Sequence, residues 1–533
     1  MTEAVTPRHF AFWPPGLPRT LPAPDKTLHA IFEASAAKFP GKPMLHFQGV
    51  SLTYREALAR VEALAGYLQQ VCGVQAGDRV LVDLQNSDHF IVAMYAILRA
   101  DAVVVPVSPA NLAGELAHYI ADSDARVAIA AQEVAEHLAA MPAGAAKLDH
   151  LLLAGSAAWD AALAAGHLPA PSKAQPGDLC MMPYTSGSTG HPKGCMHTHS
   201  TILHNVLGAM MWKHIMADTV SLATAPFFHV TGLVHSLMAT VQAGGTIVVQ
   251  QRWDPAAAAG LVERYRCTHW DNVPTMVVDL LSHPEALKHD VSSLKWIFGG
   301  GAAMPEAIAI KLRETCGVEY VEGYGMTETI SQTHMNPPQR PKKQCLGVPA
   351  FDTESFIIDP ETFKVLPPGE SGEIVVRGPQ MLVGYWKKEK AYRKSWVKVD
   401  GPGGGKAFFR TGDLGRMDED GYYFISDRLK RMINAAGFKV WPAEVEAAMY
   451  QHPAIKECCI IASPDERKGE TVKAVVVLKP EAASTSAAEI TDWMRTRMAA
   501  YKVPRKIEFI AALPRTPSGK IQWRALQDKE FGK

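Results

Sequence analysis

Residues 184–194 read Tyr184-Thr185-Ser186-Gly187-Ser188-Thr189-Gly190-His191-Pro192-Lys193-Gly194 and directly follow the apolar run at 179–182. This composition predicts a hydroxyl- and glycine-rich loop that leaves a buried strand. Glycines let the backbone approach an anion closely, hydroxyl groups donate to phosphate oxygens, and Lys193 adds a positive charge. The loop therefore predicts a nucleoside triphosphate site in an α/β fold, although a polar surface turn has a similar composition.

The spacing within this loop separates it from the common phosphate-binding P-loop. That motif reads GxxxxGK[ST], whereas Lys193 here follows a proline and precedes a glycine. The loop is therefore not that of a P-loop NTPase.

Outward from the loop, short Val/Ile-rich runs alternate with helical patterns. Strands are predicted at residues 80–84, 102–107 and 246–250, and a helix at 58–68. This alternation indicates an α/β class of layered sheets and helices. A chain of 533 residues is also too long for one hydrophobic core, so several domains are expected.

The later part of the chain changes character. Residues 355–376 predict a small, mainly antiparallel β region with a turn at Pro367-Pro368-Gly369. After Asp427 the pattern predicts a compact α/β unit, with helices at 443–450 and 488–499 and a strand at 472–478.

Composition limits the partners and the compartment. Lys plus Arg and Asp plus Glu both number 54, so no net charge attracts nucleic acid or an anionic membrane. The eight cysteines lack zinc or disulfide spacing, which predicts reduced thiols in a cytoplasm. The N-terminus does not read as a signal peptide, and no uncharged apolar run is long enough for stable membrane insertion. The sequence does not decide whether the protein forms a homodimer.

Further motifs follow in order: Gly323-Tyr324-Gly325-Met326-Thr327-Glu328-Thr329, Gly384-Tyr385-Trp386, Arg410-Thr411-Gly412-Asp413-Leu414, Asp427-Arg428-Leu429-Lys430, Gly437-Phe438-Lys439-Val440-Trp441-Pro442 and Pro514-Arg515-Thr516-Pro517-Ser518-Gly519-Lys520. Together with the loop, these motifs span nearly the whole chain after about residue 28. In this order they resemble the adenylate-forming superfamily. That superfamily includes acyl-CoA synthetases, firefly-type luciferases and adenylation domains of peptide synthetases.

The resemblance implies both architecture and reaction. It implies an N-terminal AMP-binding domain at 1–429, built from two layered α/β subdomains and a small β-barrel-like subdomain, and a small mobile α/β domain at 430–533. It also implies a reaction among a carboxylic acid, ATP with Mg²⁺, and coenzyme A. The acid would first become an acyl adenylate with release of pyrophosphate, and then a CoA thioester with release of AMP.

The resemblance also assigns roles at the triphosphate. Residues implied to hold the β- and γ-phosphates are Thr185, Ser186, Gly187, Ser188, Thr189, Gly190 and Lys193. Thr327 would approach the α-phosphate, and Glu328 would bind Mg²⁺, for which a carboxylate is a suitable hard ligand. In isolation, Glu328 would read as a solvated surface acid.

Nucleoside recognition is implied for a second set of residues. The adenine would lie against Gly300, Gly301 and Ala302 and stack on Tyr324, with the adjoining Glu322, Gly323, Gly325 and Met326 in the same site. Asp413 would accept hydrogen bonds from the ribose hydroxyls, supported by Arg428. The alternatives are a core role for Tyr324 and an ordinary turn at Asp413.

Lys520 is implied to bridge the acyl carboxylate and the α-phosphate, where negative charge develops. For the thioester step, Lys430 would be the hinge between two domain orientations, and Gly437 would line the pantetheine tunnel with Phe438 and Lys439 beside it. Solvated cations are the alternative for Lys430 and Lys439.

Two histidine motifs remain. His229 is implied to lie between the acyl pocket and the thiol tunnel, with a satisfied buried histidine as the alternative. His197 and His199 have metal-like spacing, but too few ligands accompany them for zinc.

The acid is the least determined substrate. The predicted pocket segments are 229–232, 270–274, 299–301 and 323–326, and they are mostly apolar or small. They offer no charged partner for an α-amino group, which favours a medium- to long-chain fatty acid, with a phenylpropanoid or benzoate-like acid as the alternative. A carrier-protein acceptor, a luciferase-type oxidation and a non-catalytic scaffold are the competing functions.

Overall fold

The structure is a computed structural model that describes residues 8–142, 144–185, 192–428, 431–435, 438–465, 469–516 and 521–532. The chain divides into two compact units. Unit 1 comprises Met1–Glu354 and Arg377–Trp396, and unit 2 comprises Ser355–Val376 and Val397–Lys533. The domain boundary between residues 429 and 430 stays a prediction.

The α-helices of the described residues are α1 Leu28–Lys38, α2 Tyr54–Gln70, α3 Asp88–Arg99, α4 Ala113–Ser123, α5 Ala135–Ala139, α6 Ala157–Ala164, α7 His199–Trp212, α8 Ala239–Ala243, α9 Pro255–Tyr265, α10 Pro274–Ser282, α11 Glu306–Cys316, α12 Glu389–Lys394, α13 Pro442–Met449, α14 Ala487–Arg495 and α15 Trp523–Glu530. A π-helix spans Gly232–Met238, and a 3-10 turn spans Thr327–Thr329. No helix in these ranges is long and apolar enough to cross a membrane.

The strands of the same ranges are β1 Pro43–Phe47, β2 Val50–Thr53, β3 Arg79–Asp83, β4 Val103–Pro106, β5 Val127–Ala130, β6 His150–Leu153, β7 Leu179–Met181, β8 Tyr184–Thr185, β9 Lys193–Thr198, β10 Val220–Ala223, β11 Thr246–Val249, β12 His269–Asn272, β13 Trp296–Gly300, β14 Tyr320–Met326, β15 Ser331–Met335, β16 Val348–Pro349, β17 Glu354–Ile358, β18 Gly372–Arg377, β19 Gly384–Tyr385, β20 Trp396–Val399, β21 Lys406–Met417, β22 Tyr423–Arg428, β23 Ile433–Ala435, β24 Phe438–Val440, β25 Ile455–Asp465, β26 Gly469–Leu478 and β27 Lys506–Phe509.

Local sequence explains where several helices begin. Thr53 caps α2 in a reciprocal box with Glu56, and Ser486 caps α14 in the same way with Glu489. The Thr198 hydroxyl accepts the Thr201 amide at the start of α7. These side chains satisfy amide groups that the first helical turn leaves without partners.

Unit 1 contains two large sheets. The first has the order β16-β15-β14-β13-β12-β10-β11-β1-β2, and its strands β1 and β10 to β14 pair in parallel. The second has the order β19-β9-β7-β4-β3-β5-β6, with β8 paired to β9. Parallel strands end at a common edge, where α/β proteins usually place ligands. A ligand site is therefore expected at the carboxyl ends of β13 and β14.

The two faces of β12 and β13 differ in character. Trp270 and Ile297 are opposite each other in the parallel register and join one apolar cluster that includes residues of α9, α10 and α11. Asp271 and Phe298 are also opposite each other, and both contact the Lys213 ammonium group. Because side chains alternate along a strand, these two pairs lie on opposite faces of the sheet.

Unit 2 contains two smaller sheets. One has the order β17-β18-β21-β20 with β22 paired to β21, and its pairings β18·β21 and β21·β22 are antiparallel. The other has the order β24-β23-β26-β25, with β27 added in parallel to β26. Its core includes residues of α13 and α14.

The predicted α/β class, the small β region and the α/β end of the chain are confirmed. The strands predicted at 80–84, 102–107 and 246–250 lie within one residue of β3, β4 and β11. The helix predicted at 488–499 is too long, because α14 ends at Arg495. Beyond Arg495, the Arg497 amide donates to the carbonyl of Met494, three residues earlier, which closes a turn tighter than that of an α-helix.

Ile460 is fully buried in β25, in the core of unit 2. We expect Ile460→Ala to lower the free energy of unfolding of this unit by about 2–5 kcal/mol, because it leaves a cavity. Hydrogen exchange of the β25 and β26 amides measures this change. Lys456→Ala changes an exposed residue of the same strand and serves as the control; equal protection in both variants would contradict the prediction.

Candidate active site

Lys193, near the end of the loop that the sequence singled out, is the first residue of β9. Its backbone pairs with Thr185 in β8, so both ends of the loop are anchored in one sheet. The Lys193 ammonium group lies 4.2 Å from the centre of the Tyr385 ring, in cation–π contact. Residues 186–191, which carry five of the predicted phosphate contacts, lie outside the described residues.

Tyr385 also contacts Glu328. Its phenol donates to the Glu328 carboxylate over 2.9 Å, and the Leu382 amide donates to the Glu328 carbonyl over 2.8 Å. Burial, followed by the nearby Glu328 charge, raises the pKa of Tyr385, so the phenol stays a donor at neutral pH. One aromatic side chain thus holds a cation at its face and a carboxylate at its hydroxyl.

The turn that carries Thr327 and Glu328 is held by two buried side chains. His197 of β9 lies 2.8 Å from the Thr327 carbonyl, and burial lowers its pKa to about 4. The imidazole is therefore neutral at pH 7, and its Nε2–H donates. Asn205 of α7 donates to the carbonyls of Thr329 and Ile330. These contacts fix the backbone at the tip of the β14–β15 hairpin.

The glycines at the ends of β13 and β14 make room for backbone. Gly300 pairs with Gly323 in parallel, and a Cβ on Gly300 would lie 2.5 Å from the Gly323 carbonyl oxygen. A Cβ on Gly325 would lie 1.7 Å from the Ser331 carbonyl oxygen. Side chains are excluded at both positions by this close approach.

The other predicted adenine residues lie at the same edge. Gly301, with φ +82°, and Ala302 are exposed beyond the end of β13. Tyr324 is half-buried, and its ring centre lies 5.8 Å from that of His334. The Met326 amide donates to the Thr329 hydroxyl. These residues thus lie near one another at the ends of β13 and β14. Their contacts with a nucleotide stay a prediction.

Glu322 is buried and bound to backbone. Its two carboxylate oxygens accept the Met304 amide at 2.8 Å and the Cys345 amide at 3.3 Å. Burial raises the pKa of Glu322 to about 7, against the lowering effect of these hydrogen bonds. Glu322 therefore ties together two segments beside the edge, which makes it a positioning residue.

His229 lies at the entrance to the π-helix. Its Nδ1 accepts the Thr231 amide at 3.3 Å, and its carbonyl accepts the Leu233 amide. A Cβ on Gly232 would lie 2.3 Å from the Ala225 carbonyl oxygen, so the chain turns tightly here. Such π-helices are frequent at functional sites. The half-buried imidazole is compatible with the predicted position beside the acyl pocket.

Unit 2 carries the predicted ribose residues. Asp413 in β21 is opposite Arg428 in β22 across an antiparallel pair, and the Asp413 side chain is buried. The turn before Asp413 is held by Glu373, whose carboxylate accepts two Arg410 donors and the Gly412 amide. Gly412 has φ +73°, which glycine adopts without strain.

The remaining predicted residues of unit 2 are only partly described. The backbones of Phe438 and Lys439 lie in β24, opposite Ala435 and Asn434 of β23. Lys430, Gly437 and Lys520 lie outside the described residues, so their roles stay predictions.

Sequence reasoning missed His197, Asn205 and Glu373 as positioning residues. The spacing of His197 and His199 suggested only a rejected metal site. Instead, His197 contacts the Thr327 carbonyl, and Nδ1 of His199 accepts the Leu28 amide. No motif spacing reveals these contacts, because each joins residues that are far apart in the chain.

Replacing Tyr385 with Phe removes the hydroxyl donor to Glu328 and keeps the ring beside Lys193. We expect the rate of ATP-dependent AMP formation to fall about ten- to hundredfold, because the donor serves a charged acceptor. Tyr385→Leu removes the cation–π contact as well and should raise the KM for ATP further. An unchanged rate in Tyr385→Phe would contradict the role of this hydrogen bond.

Glu373→Gln tests the turn that presents Asp413. The amide retains the shape but loses the charge that binds Arg410 and one acceptor oxygen, so we expect the KM for ATP to rise several-fold. Steady-state AMP release at varied ATP measures it. Glu370→Gln alters an exposed acid of the same segment and should leave KM unchanged; similar KM values in both variants would contradict the prediction.

Comparison with known proteins identifies the family. Residues 32–386 match the AMP-binding enzyme model, and residues 444–520 match the model of the AMP-binding enzyme C-terminal domain. A long-chain-fatty-acid–CoA ligase of Bacillus subtilis is 33% identical over 98% of this chain and 97% of its own length. A feruloyl-CoA synthase of Amycolatopsis sp. is 38% identical over 89% and 93%.

Solved structures of CoA ligases are also similar to this chain. The anthranilate CoA ligase AuaEII in complex with anthranoyl-AMP matches with a TM-score of 0.86 at 27% identity, covering 95% of this chain and 97% of that one. A Mycobacterium tuberculosis fatty acyl CoA synthetase matches with a TM-score of 0.75 at 27% identity, covering 95% and 98%. With both family models matched in order along one chain, the protein belongs to the AMP-binding enzyme family and is an AMP-forming acid–thiol ligase.

Proposed function

We propose that this ligase binds ATP through the residues of the loop and hairpin, converts a carboxylic acid into its acyl adenylate, and transfers the acyl group to coenzyme A. The observation that carries the proposal is the set Lys193, Tyr385 and Glu328 beside the Thr327 turn. It brings a cation, an oriented carboxylate and a hydroxyl-bearing turn together where the two large sheets of unit 1 meet. Those are the groups that a triphosphate with a divalent ion requires.

Each residue has a distinct task in adenylation. Lys193 balances the charge of the outer phosphates, and Thr327 contacts the α-phosphate that the acid attacks. His197 and Asn205 keep the turn in place while pyrophosphate leaves, since in-line displacement depends on position more than on covalent chemistry. Lys520 would neutralise charge that develops between the acid and the α-phosphate.

Glu328 fits a magnesium ion. Its carboxylate is oriented by the neutral phenol of Tyr385 and supplies the oxygen ligand that Mg²⁺ prefers. Bound Mg²⁺ would neutralise phosphate charge. Adenine would lie against Gly300, Gly301, Ala302 and Tyr324.

In unit 2, Asp413 and Arg428 would bind the ribose. For the thioester step, rotation at Lys430 would bring Gly437, Phe438 and Lys439 to the pantetheine arm, with His229 between acyl group and thiol.

The acid and its acceptor are open to direct test. Relatives named for long-chain fatty acids and for feruloyl groups match at similar identity, so the expected fatty acid and the aryl alternative both enter the assay. Purified protein is given ATP, Mg²⁺ and fatty, aryl or short acids, with and without CoA, and mass spectrometry identifies the products. Adenylate without thioester would point to a carrier-protein acceptor, and no product with any acid would contradict the proposal.

Compartment and assembly are also proposals. The eight cysteines are free thiols, which supports a cytoplasmic enzyme. A homodimer is tested by light scattering at several concentrations.

Lys520→Ala separates the two half-reactions. We expect adenylation to fall by about a hundredfold or more, because the lysine stabilises charge that exists only in the first transition state. Thioester formation from supplied acyl adenylate and CoA should change far less. Lys529→Ala changes a lysine of α15 and serves as the control. Equal loss of both half-reactions in Lys520→Ala would contradict the assignment.

A further inference from the structure

Helices α1 and α2 bring together three metal-ligating side chains that the proposed reaction does not use. His29 and Glu33 are four residues apart in α1 and therefore lie on one face of that helix. Glu62 lies in α2, next to Val61, which shares a buried apolar cluster with Phe32 of α1. We call His29, Glu33 and Glu62 the helix-pair triad.

The ligand atoms of the helix-pair triad are close to one another. Nε2 of His29 lies 3.3 Å from Oε1 of Glu33 and 3.6 Å from Oε1 of Glu62. One ligand atom from each side chain lies within 4.8 Å of the other two. Two atoms that bind zinc at about 2.1 Å and at the tetrahedral angle are about 3.4 Å apart. The two measured distances therefore match those between ligands of one zinc ion.

The His29 ring is buried beside the two carboxylates. Its side chain is 4% exposed, and within the described part of the chain neither ring nitrogen has a hydrogen-bond partner. A protonated ring would leave two N–H groups unsatisfied, whereas a neutral ring can offer a lone pair to an ion. A buried polar atom without a partner costs free energy, and an ion held between the three side chains would remove that cost.

The charges at the helix-pair triad favour a divalent cation. Nε of Arg99 donates to Oε1 of Glu62 over 2.8 Å, and the same guanidinium donates to the Ala170 carbonyl. Two carboxylates and one guanidinium leave one negative charge at the site. A carboxylate that binds a metal is commonly oriented by such a hydrogen bond, so Arg99 would hold Glu62 in place.

Exposure gives an ion access to the helix-pair triad. The side chain of Glu33 is 49% exposed and that of Glu62 is 26% exposed, so one side of the site faces solvent. Three protein ligands leave the fourth tetrahedral position to a water molecule. An imidazole with two carboxylates suits zinc better than magnesium or calcium, because those ions take oxygen ligands.

We propose that His29, Glu33 and Glu62 form a zinc site that links α1 to α2. The ion would bind Nε2 of His29, one oxygen of each carboxylate and one water. It would stabilise the contact between the two helices, because an ion that binds only the folded chain adds its binding free energy to that of folding. This site is distinct from the magnesium site proposed at Glu328, and its occupancy does not depend on ligase activity.

Zinc binding by the full chain tests this site. The purified protein is stripped of metal with a chelator, dialysed and titrated with Zn²⁺ alone by isothermal titration calorimetry. We expect one equivalent to bind and the midpoint of thermal unfolding to rise with the zinc concentration. An excess of Mg²⁺ or Ca²⁺ should not displace the zinc, since neither ion favours an imidazole ligand.

Variants assign the bound ion to the helix-pair triad. Loss of a group that only orients a ligand weakens metal binding by about 10–100-fold, so loss of a ligand in Glu33→Gln should weaken it about a hundredfold or more. Glu62→Gln and His29→Asn should have the same effect. Glu136→Gln changes an exposed glutamate of α5 and should bind zinc as the wild type does. Glu328→Gln should also retain the zinc.

Two outcomes would overturn the inference. One is a wild type that binds no Zn²⁺ and unfolds at the same temperature with and without it. The other is a zinc affinity in Glu33→Gln and Glu62→Gln equal to that of the wild type, which would assign the ion to the free cysteines or to Glu328. Because Glu33 is exposed, its variant decides the question even if His29→Asn does not fold.

Discussion

The Tyr385 side chain joins the two large sheets of unit 1 at the point where the chemistry is proposed. Its backbone extends the sheet that anchors Lys193, and its hydroxyl reaches Glu328 at the tip of a hairpin from the other sheet. The proposed phosphate contact of Lys193 and the proposed metal contact of Glu328 would therefore both depend on one aromatic residue. Because burial keeps its proton in place, Tyr385 remains a neutral donor.

Around this contact, buried polar side chains act on backbone. His197 and Asn205 hold the carbonyls of the Thr327 turn, and Glu322 accepts two amides from segments beside it. Buried polar groups must find partners, and backbone partners transmit position without occupying the space that a substrate needs. These hydrogen bonds thus fix the position of the backbone at this edge of the sheet.

Other buried polar groups pair with one another. Gly300 and Gly323 carry no side chains at the paired ends of β13 and β14, and Lys213 and Asp271 form a buried ion pair. The small and mostly apolar pocket segments stay a prediction, and the sequence offered no sign of the ion pair. Lys213, directly after α7, and Asp271, in β12, are 58 positions apart and meet only in the folded chain.

By itself, the sequence determined the α/β class, the positions of β3, β4 and β11 within a residue, the family and its motifs, because strand periodicity and motif spacing are local properties. The helical pattern of the sequence wrongly extended α14 beyond Arg495. There the hydrogen bond from the Arg497 amide to the Met494 carbonyl forms a turn that composition does not predict. Tertiary structure alone decided which side chains orient those motifs and which buried groups pair, such as Lys213 with Asp271. These depend on contacts between distant residues, which only the folded sheets bring within hydrogen-bonding distance.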